Sequence, residues 1–174
     1  MNINVDWDRY ADQYDAITME GSNPAYLDLV EKVSESFKKF QVHPGSLIAD
    51  FGGGTGNFTI PIAQMYPESR IVLVDSSEGM PQQAREKVSQ YGLKNVDVIR
   101  ADISSDIPEI AERYSRPFTH VMMIHALYTT GGKNSNVPRK ILIDISANMD
   151  DGPDSRFLIS DIDRPLRTGN WIPY

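Results

Sequence analysis

The feature that most constrains this chain is Asp50-Phe51-Gly52-Gly53-Gly54-Thr55-Gly56-Asn57, a glycine run between an apolar stretch (Ser46–Phe51) and a helix-like stretch (Gly56–Tyr66). Glycines at a strand-to-helix turn permit positive φ and let a ligand approach the backbone. In an open α/β sheet this is also the side where ligands bind, beyond the carboxyl ends of the strands. Tight turns use glycines too, so the loop alone does not separate a turn from a cradle. Its spacing says more. Gly52, Gly54 and Gly56 make G-x-G-x-G, whereas a dinucleotide fingerprint needs its third glycine where Asn57 stands. No G-x-x-x-x-G-K-[ST] phosphate loop occurs. Asp50, just before the glycines, would repel a pyrophosphate but suits a ligand carrying an ammonium or a sulfonium.

Four further apolar runs follow: Arg70–Asp75, Val96–Ala101, Phe118–Ile124 and Arg156–Asp161. Helix-length segments separate them, at Glu78–Tyr91, Ile107–Tyr114 and Pro138–Met149. This alternation predicts an α/β fold: an open, mostly parallel twisted sheet with helices on both faces. Ahead of it, Asp6–Tyr14 reads as a short helix. A second helix is expected after a Ser22 or Asn23 cap, with Pro24 in its first turn and an apolar stripe at Leu27, Val30, Val33 and Phe37. The expected organisation is an N-terminal helical cap segment (1–44), a sheet domain (45–165) and a tail (166–174) without a clear period.

Acids stand at two strand ends. Asp75 can accept hydrogen bonds from ribose hydroxyls; alternatively it or Ser76 caps the next helix. Asp102 can accept from an adenine amino group, or serve as a turn residue. Met80 either covers a base or belongs to the core.

Composition narrows the chemistry. With 174 residues, one domain is expected. There is no cysteine, hence no disulfide or thiol nucleophile, and His43, His120 and His125 lack metal-ligand spacing, so no metal is predicted. A net charge of -7 disfavours nucleic acid as a partner. No segment approaches the ~20 apolar residues of a membrane span. The N-terminus has no basic lead-in of the signal-peptide kind, and a cytoplasmic location is expected.

Taken together, IADFGGGTGNF (48–58), IVLVDSSEGM (71–80), VIRADI (98–103), THVMMIHAL (119–127) and FLISDIDRP (157–165) resemble the class I S-adenosylmethionine-dependent methyltransferases. WDRYADQYD (7–15) is similar to the N-terminal segment that folds over the cofactor in small-molecule methyltransferases. The resemblance implies a Rossmann-like fold and S-adenosylmethionine as cofactor. It places the loop Gly52, Gly54 and Gly56 under the methionine part, with Asp50 and Gly52 near its ammonium. Asp75 would take the ribose hydroxyls, Ser76 and Met80 would flank the adenine, and Asp102 and Ile103 would read its edge. Ile124 and His125 would lie beside the methyl group, and Tyr14 would reach the cofactor carboxylate.

The sequence departs from the family at two places. His125-Ala126-Leu127-Tyr128 replaces the acid-or-amide, Pro-Pro-aromatic signature of DNA and some protein methyltransferases, which with the acidic balance points to a small-molecule acceptor. The two further strands usual in the family are not evident, so the fold reads as truncated at its C-terminal edge. A bare fifth strand would invite a homodimer or partner chain. His125 is the natural general base, with Tyr128 and Asp161 behind it; a core histidine is the plainer alternative. The rival readings are another enzyme on this scaffold, or a non-catalytic module that binds the cofactor or a partner chain.

Overall fold

A computed structural model describes residues 7–19, 23–127, 136–161 and 164–169. Two helices lead, α1 (Trp7–Thr18) and α2 (Pro24–Lys39). There follow β1 (Leu47–Phe51), α3 (Thr59–Met65), β2 (Arg70–Asp75), α4 (Gly79–Gln90) and β3 (Val96–Arg100). The rest is α5 (Ile107–Tyr114), β4 (His120–Ile124), α6 (Val137–Ala147), β5 (Arg156–Asp161) and β6 (Arg164–Gly169). The sheet order is β3-β2-β1-β4-β5-β6. The first four pairings are parallel and the last is antiparallel.

Strand period two divides the core between the faces. Leu47, Ala49 and Phe51 of β1 join Val72, Val74, Val121 and Met123 on one face, beneath Ile107 and Ile110 of α5 and Ile141 and Ile145 of α6. Ile48, Ile71, Met122 and Leu158 share the other face with Phe37 of α2 and Ile62 of α3. Continuous burial of β1 and β4 follows from helices covering both sides. At α2 the Asn23 side chain accepts from the Tyr26 N–H at 3.2 Å, and Pro24 fills the first turn. The buried residues of α2 are Tyr26, Val33 and Phe37, while Leu27 from the expected stripe is exposed.

The C-terminal edge differs from the expectation of a bare fifth strand. Arg164–Gly169 forms β6, paired with β5 at Phe157↔Gly169, Leu158↔Thr168 and Ile159↔Arg167. The strand crosses the boundary expected between domain and tail, and it removes the reason to invoke a partner on β5. Backbone hydrogen bonds hold it, and Pro165 is compatible with an outermost strand, where a missing N–H costs no ladder bond.

Candidate functional site

The strand order reverses at β1, and there the carboxyl ends of β1 to β4 surround a cavity of about 330 Å³. Gly52 and Gly54 floor it, Asp75, Ser76 and Met80 form one side, and Asp102 and Ile103 another. Ile124, His125 and Ala126 close it beyond β4. A larger, shallower depression of about 680 Å³ lies by Gly45, Arg70 and Asn95, at the amino ends of the strands. It holds none of the residues that the sequence singles out, and α/β sheets bind ligands at the other end.

Gly52 has φ +75°, and its N–H donates to the Val74 carbonyl at 2.7 Å. A Cβ there would lie 2.2 Å from the Ala126 Cβ, so only glycine lets the loop and the end of β4 meet. The Gly54 N–H donates to Asp75 Oδ2 at 3.0 Å, which ties the loop to the tip of β2. Asp75 Oδ1 accepts from the Ser77 N–H at 3.0 Å and from its hydroxyl at 2.9 Å. Three of the carboxylate's roughly four acceptor directions are thus in use, one of them by a hydroxyl that can rotate away. The cap of α4 comes from neither Asp75 nor Ser76. Asp8 of α1 supplies it, its Oδ1 accepting from Glu78 N at 2.6 Å and Gly79 N at 3.0 Å. Those two N–H groups hold the Asp8 carboxyl below its usual pKa.

Two loop-region candidates stand outside the lining. Asp50 is 1% exposed and points to the same face as Ile48, where its carboxylate accepts from the Thr59 hydroxyl at 2.5 Å. Burial pushes its pKa up to about 7, against the Thr59 bond and with help from the Asp75 charge. It supports the loop from beneath: a Cβ on Gly53 would be 2.9 Å from its Oδ2. Gly56 faces Leu73, Ala84 and Ile60, so its place is in helix–strand packing.

Asp102 borders the cavity and also shapes its turn, its Oδ1 accepting from Ser104 N at 2.8 Å. His125 lies in the left-handed region, φ +57°, with its N–H donating to the Ser160 carbonyl at 2.7 Å. Such a conformation is strained for a residue with a side chain and concentrates at functional sites. Tyr128 lies outside the described residues.

Tyr14 packs edge-on to Trp7 and Tyr26, ring centroids 6.3 and 6.2 Å apart, and its hydroxyl donates to that of Tyr26 at 3.5 Å. Burial raises both phenols above their usual pKa, so both are neutral donors. Trp7, Thr18, Asn23, Tyr26 and Ala126 border the cavity without having been anticipated. A signal existed for two of them. Trp7 shares a helix face with Tyr14, and the stripe Tyr26, Val33, Phe37 fits α2 better than one starting at Leu27. Among the described residues no cluster of His, Asp and Glu is placed to hold a metal ion, and no helix is long and apolar enough to cross a membrane.

The profile of the methyltransferase-domain family matches residues 48–141, more than half of the chain. The chain belongs to this family. Its fold is that of the class I S-adenosylmethionine-dependent methyltransferases, and its cofactor is S-adenosylmethionine. An S-adenosylmethionine-dependent methyltransferase from Aquifex aeolicus shares the fold, with a TM-score of 0.64 at 21% identity over 89% of this chain and 77% of that one. (S)-coclaurine N-methyltransferase of Thalictrum flavum subsp. glaucum is 29% identical over 100 residues, 57% of this chain and 26% of that protein. The 23S rRNA (uracil(1939)-C(5))-methyltransferase RlmD of Shewanella sp. (strain ANA-3) is 32% identical over 75 residues, 43% of this chain and 16% of that protein. The methyltransferase domain seen here thus matches only a minor part of either curated relative.

Proposed function

We propose that this domain binds S-adenosylmethionine in the cavity at the carboxyl ends of β1 to β4 and transfers its methyl group to a small-molecule acceptor in the cytoplasm. The observation that carries the reading is the convergence on one cavity of a glycine floor, a strand-tip carboxylate and an apolar slot. Gly52 has no room for a Cβ beside Ala126 and Gly54 turns at φ +55°, Asp75 keeps acceptor capacity for a diol, and Met80 and Ile103 offer apolar surface to a flat base. The cofactor, when bound, supplies a methyl group on a sulfonium that leaves without needing a proton.

The chain's own residues then have four tasks. Asp75 holds the ribose hydroxyls, one of them in place of the Ser77 hydroxyl, while Ser76 flanks the base. Asp102 accepts from the adenine amino group and the Ile103 backbone N–H donates to the ring. Trp7, Tyr14 and Tyr26 line the cavity and exclude water from it. His125 positions the acceptor and takes its proton where the acceptor must lose one; Tyr128, next along the same segment, is a second candidate for that step.

The small-molecule preference draws support from the net charge of -7 and from the coclaurine enzyme among the relatives. The test is calorimetric titration with S-adenosylmethionine and with NADH, then incubation with methyl-labelled S-adenosylmethionine and pools of phenols, amines, carboxylates or rRNA transcripts. Label in a small-molecule pool supports the reading. Label in RNA moves the acceptor to the class of the RlmD relatives. Cofactor binding without label in any pool favours the non-catalytic module, and NADH binding alone overturns the assignment.

A further inference from the structure

Asn57, the residue that breaks the dinucleotide spacing, takes no part in lining the cavity. It belongs to a cluster of four polar side chains drawn from α1, the glycine loop and α4. Lys87 of α4 donates to Asn57 Oδ1 at 2.6 Å and to Thr55 Oγ1 at 3.1 Å, and pairs with Asp15 Oδ2 at 2.5 Å. Asp15 of α1 accepts through Oδ1 from the Thr55 hydroxyl at 2.7 Å and from Asn57 Nδ2 at 3.1 Å. The Asn57 amide therefore meets the cation with its oxygen and the anion with its nitrogen, which fixes its orientation. Thr55 and Asn57 are buried, and removal from water lowers the Lys87 pKa while Asp15 opposes that shift. An ammonium so placed is stabilised only while its partner stays; lifting Asp15 away leaves a partly buried, unpaired charge.

Helix α1 presents two faces. Asp8, Ala11, Asp12 and Asp15 meet α4: Asp8 caps it, Ala11 packs on Gly79, Asp12 accepts from Gln83 at 3.3 Å, and Asp15 pairs with Lys87. Trp7, Tyr14 and Thr18, on the other face, form a wall of the cavity. The strength of the seat on α4 therefore decides how firmly that wall stays closed. We propose that Lys87 is a positioning residue for the cofactor: by joining α1 to the glycine loop through Asp15 and Asn57, it sets how slowly S-adenosylmethionine and its demethylated product leave. The inference rests on the assignment of this cavity to the cofactor.

The test uses the full chain with Lys87→Met, which keeps an apolar stem and removes the charge, with Asp15→Asn as a second, milder break, and with both together. Dissociation of S-adenosylhomocysteine is followed by tryptophan fluorescence after dilution, and amide exchange of residues 8–18 is measured without ligand. Each single variant should release the ligand about ten to a hundred times faster. The association rate should stay within roughly a factor of three. The double variant should be no faster than the faster single one, and α1 exchange should accelerate in step. Loosened α1 exchange with unchanged dissociation overturns the proposal, as do additive effects of the two substitutions. If the unsubstituted chain binds no S-adenosylhomocysteine by calorimetry, the cofactor assignment has failed and the proposal with it, whatever the exchange pattern.

Discussion

Gly52 and Ala126 meet so closely that a methyl group on the glycine would lie 2.2 Å from the alanine Cβ. The contact joins the loop after β1 to the segment after β4, across the line where the sheet order reverses. Gly52→Ala therefore meets two obstacles, the clash and a φ of +75°. We expect it to lose about 1–3 kcal/mol of stability and to weaken cofactor binding. Adding Ala126→Gly removes the clash but not the backbone strain and should restore part of the melting temperature. Full recovery in the double variant would show that strain contributes nothing.

Asp75 is the carboxylate on which ribose recognition is expected to rest. Asp75→Ala removes charge-assisted hydrogen bonds of about 1.5–3 kcal/mol in total effect, a ten- to hundredfold loss of affinity for S-adenosylhomocysteine. It also releases the Gly54 and Ser77 N–H groups, so thermal unfolding should be recorded beside the calorimetry. A folded variant with unchanged affinity would sink the ribose role.

His125 carries two separable predictions. As a general base its loss in His125→Ala should slow turnover by about 10² to 10⁴ with the cofactor affinity little changed. The backbone supplies the second: at φ +57° glycine is at ease and alanine is not. His125→Gly should melt above His125→Ala by an amount equivalent to about 1 kcal/mol. Equal melting temperatures would mean that the left-handed conformation is not held in solution.

Two buried groups tilt stability in opposite directions over one pH interval. Burial lowers the His120 pKa from 6.5 to about 4, so the unfolded chain takes up a proton first and stability falls as pH drops through that window. Burial raises the Asp50 pKa from 3.8 to about 7, so its favourable contribution is full below 3.8 and is lost as pH rises to about 7. Each effect is on the order of 3–4 kcal/mol, and between pH 4 and 6.5 they largely cancel. Asp50→Asn should therefore gain on the parent chain with rising pH, and His120→Gln should gain on it with falling pH, in denaturant titrations. Parallel curves for parent and variant would remove the corresponding group from this account.

Much of the sheet could be read in the sequence because buried parallel strands are short apolar runs with sharp ends. Arg70–Asp75 and Arg156–Asp161 match their strands end to end, and Ile107–Tyr114 matches its helix. β6 was not legible: Arg-Pro-Leu-Arg-Thr-Gly has no alternation and is placed by backbone pairing with β5. The strand-end part of the site was legible for a similar reason, since Gly52, Asp75 and Asp102 sit where runs stop. Asn23 was not, because it reaches the cavity from the cap of a helix that precedes the sheet, while Trp7 and Tyr26 were marked only by the helix faces they share with Tyr14 and with Val33 and Phe37. The resting places of Asp50 and Gly56 depend on which way a buried side chain or a missing Cβ faces, which spacing along the chain does not record.

The cap that Asp8 provides for α4 spans 71 residues along the chain to Gly79. An isolated helix of 12 residues is marginal in water, and Asp8, Ala11 and Asp12 of α1 meet their partners only in α4 and the turn before it. The first of the described helices in chain order is thus among the last to settle, docking on α4 only when the chain as far as Lys87 has been made. Chain order and assembly order run opposite here, and for that interval Asp8, Ala11 and Asp12 have no surface to receive them.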